Sequence, residues 1–237
     1  MKPNAGERGK QVFILKNEAE LEARLSEIKE DAILQEFADG DEFGVFYYRF
    51  PDEKRGKIFA ITEKQFPEVV GDGMATLENL ILRGQRAVCL ANKYFERHQE
   101  NLLNIPENGE KVKLVDIGTH SRGAIFLDGI RLKTDQLETA FDNICKEYKG
   151  FYFGRFDVRT ASIEDFKRGR NFKIVELNGV TSEATSIYDA KNSLFTAYRV
   201  LFEQWKIAFE IGAQNRARGT QPTSLLALTK ILLENWL

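Results

Sequence analysis

The chain has 237 residues, enough for one large domain or two small ones sharing a cleft, with ample material for a core. Lys plus Arg (34) nearly balances Asp plus Glu (36), so the surface field is patchy and lacks the positive bias of a dedicated nucleic-acid binder. No apolar run reaches the ~18 residues of a membrane span, no signal-peptide pattern opens the chain, and two His with two Cys argue against a structural zinc site, so a cytoplasmic protein is expected.

In chain order, "MKPNAGERGK" puts Lys, Pro and a glycine-bearing loop first, with no preceding element to pack under them, so the chain reads as beginning inside a fold. "KQVFIL" (10–15) reads as a short strand, and residues 17–29 as a helix with Leu21, Leu25 and Ile28 on one stripe. Three strand-like runs follow at 32–38, 41–50 and 56–66, separated by "DG" and "PDEKRG" reversals. A glycine turn, a Thr76 cap and a short helix occupy 71–84, and 85–100 reads as another helix. Then come a strand at 111–118, a loop "HSRGAIFLDG", and a helix at 134–148 with Leu137, Phe141 and Ile144 aligned. Strands at 151–159 and 172–178 flank a polar connection. A long helix (192–219) and a closing helix that begins with Pro222 end the chain. Cys89 and Cys145 both fall in amphipathic helical segments, which favours buried thiols in a reducing compartment. Strands early and helices late predict an α+β fold with two lobes.

Strand alternation puts Arg155 and Asp157 on one face of their strand and Glu176 and Asn178 on one face of theirs. If the two strands pair, hard oxygen ligands suited to magnesium converge beside a guanidinium; spacing alone is equally consistent with the solvated face of a one-sided sheet. "KPNAGERGK" (2–10) offers glycines, exposed N–H groups and two lysines, as a phosphate cradle does, although a basic surface loop reads the same way. Glu36 and Glu42 surround an Asp-Gly turn that would suit a ribose carboxylate or a solvated hairpin. His120 and Arg122 sit between glycines, where an arginine fork can clamp a carboxylate or phosphate. Leu194, Tyr198, Leu201, Trp205 and Phe209 form a stripe at helical spacing that reads as core, or as a homodimer interface where it stays exposed.

The order of these stretches, "KPNAGERGKQV", "LQEFADGDEFGV", "GRFDVR", then "IVELNGVTSEAT", resembles the ATP-grasp superfamily, in particular carboxylate–amine ligases of the D-alanine–D-alanine ligase and cyanophycin synthetase kind. The likeness runs from Lys2 to about Tyr188, and "GDGMATLENLI" is similar to the cyanophycin synthetase loop and helix. It implies two α+β lobes with antiparallel sheets gripping a nucleotide, a small lobe at 1–66 and a large lobe at 67–237. It implies ATP and two magnesium ions, with manganese able to substitute, acting on small-molecule carboxylate and amine substrates such as amino acids or peptides. By resemblance, Lys2 contacts phosphate, Gly6 to Gly9 with Lys10 cover the triphosphate, Gln35, Glu36 and Ala38 face adenine, and Glu42 binds ribose. Asp157, Glu176 and Asn178 hold the metal, Arg155 steadies the acyl phosphate, Lys64 is a further phosphate contact, and His120 and Arg122 reach substrate. The departures are a missing domain before the "KP" strand and Met74 where a basic residue is common. They keep open two alternatives: a module that binds Mg-ATP without ligating, and a small-molecule kinase.

Overall fold

The computed structural model describes residues 1–4, 11–115 and 123–236. A two-residue strand β1 (Lys2–Pro3) pairs antiparallel with β2 (Ala32–Ile33), and between them runs α1 (Glu18–Glu27). Asn17 caps α1 by accepting from the Glu20 N–H. The stripe expected to bury α1 does not: none of its residues is buried, and Leu25 is exposed. Residues 11–15 form no strand, and the strand expected over 32–38 stops at Ile33.

The centre of the molecule is a five-stranded, wholly antiparallel sheet built from β3 (Asp41–Tyr48), β4 (Lys57–Gln65), β7 (Ile125–Asp128), β8 (Phe153–Thr160) and β9 (Phe172–Asn178), in the order β7-β4-β3-β8-β9. β7 lies within the stretch expected to be a loop; it is a four-residue edge strand, too short for alternation to announce. The sheet also crosses the expected division at 66/67, because β3 and β4 pair with β7 and β8. Gly40 starts β3 with φ +102°, and a Cβ there would lie 2.1 Å from the Thr160 carbonyl oxygen, so only glycine allows this entry.

Alternation gives the sheet two different faces. On one, Phe43, Val45, Tyr47, Ile58, Ile61, Phe156 and Val158 form a core with Leu137, Phe141 and Cys145 of α4 (Asp135–Glu147) and Phe166 of α5 (Ile163–Lys167). Thr134 and Ser162 cap these helices, and α5 occupies the connection expected to be polar loop. On the other face, Phe46, Ala60 and Phe153 pack under Ile207 and Ile211 of α6 (Leu194–Ala217), beside Ala184 and a short 3-10 turn at Thr185–Tyr188. The remainder of that face is polar.

A satellite core is formed by β5 (Glu68–Val70), β6 (Lys111–Lys113), α2 (Leu77–Arg83) and α3 (Ala91–Arg97), around Leu77, Ile81, Tyr94 and Leu114. Thr76 caps α2 as expected, and the helix expected over 85–100 is a 3-10 turn at Ala87–Leu90 followed by α3. That turn leaves Cys89 exposed, whereas Cys145 is buried as expected. The last helix, α7 (Leu225–Trp236), starts three residues after Pro222, with Ser224 accepting from the Ala227 N–H. The α6 stripe expected to be core points outward: Leu194, Tyr198, Trp205 and Phe209 are exposed, and the helix is buried instead along Gln204, Ile207 and Ile211. No helix among the described residues is long and apolar enough to cross a membrane.

Candidate functional site

β8 and β9 do pair, with Asp157 opposite Glu176 and Arg155 opposite Asn178. A bulge gives β9 one extra residue between Glu176 and Ile174, namely Val175, and its carbonyl accepts from Lys2 Nζ at 2.9 Å. The first strand of the chain is thereby tied to the strand that carries Glu176.

On the polar face β3 contributes Glu42 and Gly44, β4 contributes Thr62 and Lys64, and β8 contributes Arg155, Asp157 and Arg159. Register brings them together: Glu42 lies opposite Lys64 on one side and Arg159 on the other, and Gly44 lies opposite Thr62 and Asp157. Lys64 Nζ donates to Glu42 Oε1 at 2.6 Å and to Asp157 Oδ2 at 2.9 Å. Arg159 Nε and NH2 both donate to Glu42 Oε2, at 3.0 and 2.8 Å, and its NH1 donates to the Ala38 carbonyl at 2.9 Å. Arg155 Nε donates to Asp157 Oδ1 at 3.0 Å and NH1 to the Glu183 carbonyl at 3.1 Å.

Glu42, Lys64, Asp157 and Arg159 are all buried. Desolvated charges of this kind persist only when each is paired, and here each carboxylate oxygen meets a cation. Burial alone would lower the Lys64 ammonium, but Asp157 and Glu42 outweigh it and hold the pKa above the ordinary lysine value. Lys64 is therefore a fixed positive charge inside the sheet face.

Beside this network stand groups with no such partners. Glu176 is exposed and makes no ion pair or hydrogen bond among the described residues, although it faces the Asp157 carboxylate. Asn178 Nδ2 is buried without a hydrogen-bond partner among the described residues. Turning the amide over would put its oxygen at the same point. Gly44 lets side chains of the neighbouring strands close over it: a Cβ there would lie 3.3 Å from Arg155 Cδ and 3.5 Å from both Asp157 Oδ1 and Thr62 Cβ. An exposed carboxylate beside a buried amide that has no partner among the described residues suits a hard cation that keeps waters or takes oxygens from a phosphate. Among the described residues, no three His, Cys, Asp or Glu side chains gather closely enough to hold a metal ion by themselves.

The loop after β9 is pinned over the site. Gln204, buried on α6, accepts from the Ala184 N–H at 2.8 Å and donates to the Ser182 carbonyl at 3.0 Å, while Thr185 Oγ1 donates to Thr62 Oγ1 at 3.0 Å. Sequence reasoning missed Arg159 and Gln204. Both had a signal: Arg159 shares the parity of Arg155 and Asp157 on β8, and Gln204 interrupts the Val200, Ile207, Ile211 stripe.

Of the other expected site residues, Ala38 is buried and engaged through its carbonyl, Gln35 is exposed, and Glu36 pairs with Lys173 of β9 at 2.6 Å on the surface. Gly6, Gly9, Lys10, His120 and Arg122 lie outside the described residues. Two shallow depressions lie elsewhere, one on α4 around Gln136 and Asn143 and one along α6 near Phe209 and Pro222.

The fold and site thus define an α+β protein with a buried ionic network on one face of an antiparallel sheet. No family model matches the sequence, and no curated protein matches it significantly. A solved structure similar to it is "a bifunctional glutathione synthetase from Pasteurella multocida", with 14% identity, a TM-score of 0.44, and coverage of 72% of this chain and 24% of that one. The chain spans about a quarter of the length of that structure. At that TM-score the likeness assigns neither fold nor activity.

Proposed function

We propose that the chain is an ATP-dependent ligase of the ATP-grasp type, joining a carboxylate to an amine through an acyl phosphate. The supporting observation is the juxtaposition, on one sheet face, of the fixed Lys64 and Arg155 cations with Asp157, Glu176 and an Asn178 amide that has no partner among the described residues. In this reading the substrate carboxylate attacks the γ-phosphorus of ATP and ADP leaves; the amine then attacks the acyl carbon, phosphate leaves, and the amine proton goes to solvent. Lys64 lies against the phosphates, and Arg155 lies against the oxygen that gains charge during acyl transfer. Asp157, Glu176 and Asn178 would hold magnesium, which supplies charge neutralisation at the triphosphate. Lys2 contacts phosphate from β1, and Gln35, Glu36 and Ala38 line the adenine.

Glu42 is the ribose contact of this reading; like Asp157 it is buried with both oxygens on neighbouring cations, so each would have to share its carboxylate with the ligand it takes. The two lobes of this reading divide near Asp39–Gly40, where the chain enters the central sheet. The test is ADP release with a panel of amino acids and short peptides, with and without magnesium. Release that requires magnesium, a carboxylate and an amine is the expected result. No release across the panel, with Mg-ATP still raising the melting temperature, would replace ligation with nucleotide binding alone.

A further inference from the structure

The helix α6 is apolar on two sides, and only one of them is used. Its inner side packs Ile207 and Ile211 on the sheet. Its outer side carries Phe195, Tyr198, Phe202, Trp205 and Phe209 at 88, 55, 74, 42 and 75% exposure. The three phenylalanines are seven residues apart, and Tyr198 and Trp205 each follow three residues after one of them. This is the a and d spacing of a seam that packs against another helix. An exposed apolar patch of this size on a helix marks an interaction surface.

We propose that this seam is the interface of a homodimer, with α6 of a second copy of the chain as its occupant. Area supports a partner of that size. Aromatic side chains bury 150–250 Å² each, so these five at their observed exposures offer on the order of 700 Å². A stable interface takes roughly 800 Å² per partner, and the exposed Leu194 next to Phe195 makes up the difference. Self-complementarity supports a second copy over a different protein. The seam holds its own knobs and its own hole: beyond Phe209 the d position is Gly212, where a Cβ would meet nothing within 4 Å, in a recess also lined by Ala213 and Pro222. Beside the seam Arg199 and Lys206 offset Glu203 and Glu210, and Arg216 borders the recess at Gly212, so the charge is mixed in sign and asks for no strongly charged partner.

The experiment is sedimentation equilibrium of the full chain across a concentration series, beside Phe202→Glu/Phe209→Glu and a Cys89→Ser/Phe202→Cys variant. The expected result is the mass of two chains for the unaltered protein, loss of the dimer in the double glutamate variant with its helical circular dichroism kept, and disulfide-linked dimers for the cysteine variant under mild oxidation. A monomer up to the solubility limit overturns the proposal, as does a dimer that survives both glutamates. Flotation of a monomeric chain with phosphatidylcholine vesicles, lost in the double glutamate variant, also overturns it and gives the seam to a membrane surface. None of these outcomes depends on whether the sheet face binds ATP.

Discussion

Arg159 and Glu42 face each other across β8 and β3, and the guanidinium places two N–H groups on the same carboxylate oxygen, at 3.0 and 2.8 Å, while a third reaches the Ala38 carbonyl. One buried side chain thus fixes both Glu42 and the segment leading into the sheet. Its ring neighbours Phe37 and Phe66, at 5.4 and 5.5 Å, cover the guanidinium. Arg159→Met is expected to destabilise the protein by about 3 kcal/mol, the lower end of the range for a buried ion pair that loses one partner, because Lys64 still reaches Glu42. Arg159→Lys is expected to recover less than half of that loss, since an ammonium cannot repeat the fork. Chemical denaturation measures both. A loss below about 1 kcal/mol for Arg159→Met would mean the pair behaves as a solvated one.

Lys64 makes a pH prediction whose sign follows from its raised pKa. A cation raised in the folded state contributes stability that is complete below its unfolded pKa of ~10.4 and is lost as pH climbs through the higher folded value. Between about pH 6 and 9 this network is therefore expected to leave stability flat, with decline only in strong alkali. Lys64→Met changes the pattern, because Glu42 and Asp157 then lie close together without the cation they share. The Tm of this variant is expected to lie below that of the unaltered protein at neutral pH, with the deficit shrinking only above about pH 10, where the unaltered protein loses its own Lys64 contribution. A deficit that does not vary with pH would make Lys64 a packing residue only.

Asp142 holds the opposite face of the sheet in register. Its Oδ1 accepts from Tyr47 Oη and from the Gly56 N–H, both at 2.8 Å, and Oδ2 accepts from Lys146 at 2.5 Å. Burial would raise this carboxyl, but Lys146, Gly56 and Tyr47 outweigh it and hold it below the usual range. Asp142→Ala strands a buried hydroxyl and a buried N–H, at about 1–3 kcal/mol each. The stabilisation from Asp142 is present above its unfolded pKa of ~3.9 and lost as pH falls through the lower folded value. The gap between variant and parent in urea titrations should thus persist at neutral pH and shrink only below about pH 4. A gap unchanged in acid would remove the carboxylate from the account.

The strands that build the site were legible because their alternation is strict: Arg155, Asp157, Glu176 and Asn178 could be assigned to faces before any pairing was known. Register could not be read, since which residue opposes which depends on turns and on the Val175 bulge. Short elements escaped for a related reason: β7 has four residues and α5 has five, less than the period needed to distinguish them from loop. The run 32–38 has strand composition, yet only Ala32 and Ile33 find a ladder partner, so Leu34 and Phe37 end exposed. On α6 the apolar spacing was visible but not its direction. Two apolar stripes share the helix, and the sheet takes the one interrupted by Gln204, whose amide pins the loop after β9.

Gly44 gives the most direct test of the site, because it separates shape from charge. The residue is buried, and Asp157, Arg155 and Thr62 pack over it where a side chain would stand. Gly44→Val adds atoms there without touching a charge, and overpacking of this kind costs about 1–3 kcal/mol, which leaves a folded protein. Asp157→Asn keeps the shape and removes the charge between Lys64 and Arg155. If the face binds Mg-ATP, both variants lose the rise in melting temperature that Mg-ATP gives the parent, and ADP release falls by at least ~100-fold, the scale of losing one preorganised electrostatic contact. Glu176→Gln is expected to fold as the parent does, because Glu176 is exposed and has no partner among the described residues, and still to lose turnover. Full turnover in Gly44→Val and Glu176→Gln together would move the chemistry off this face.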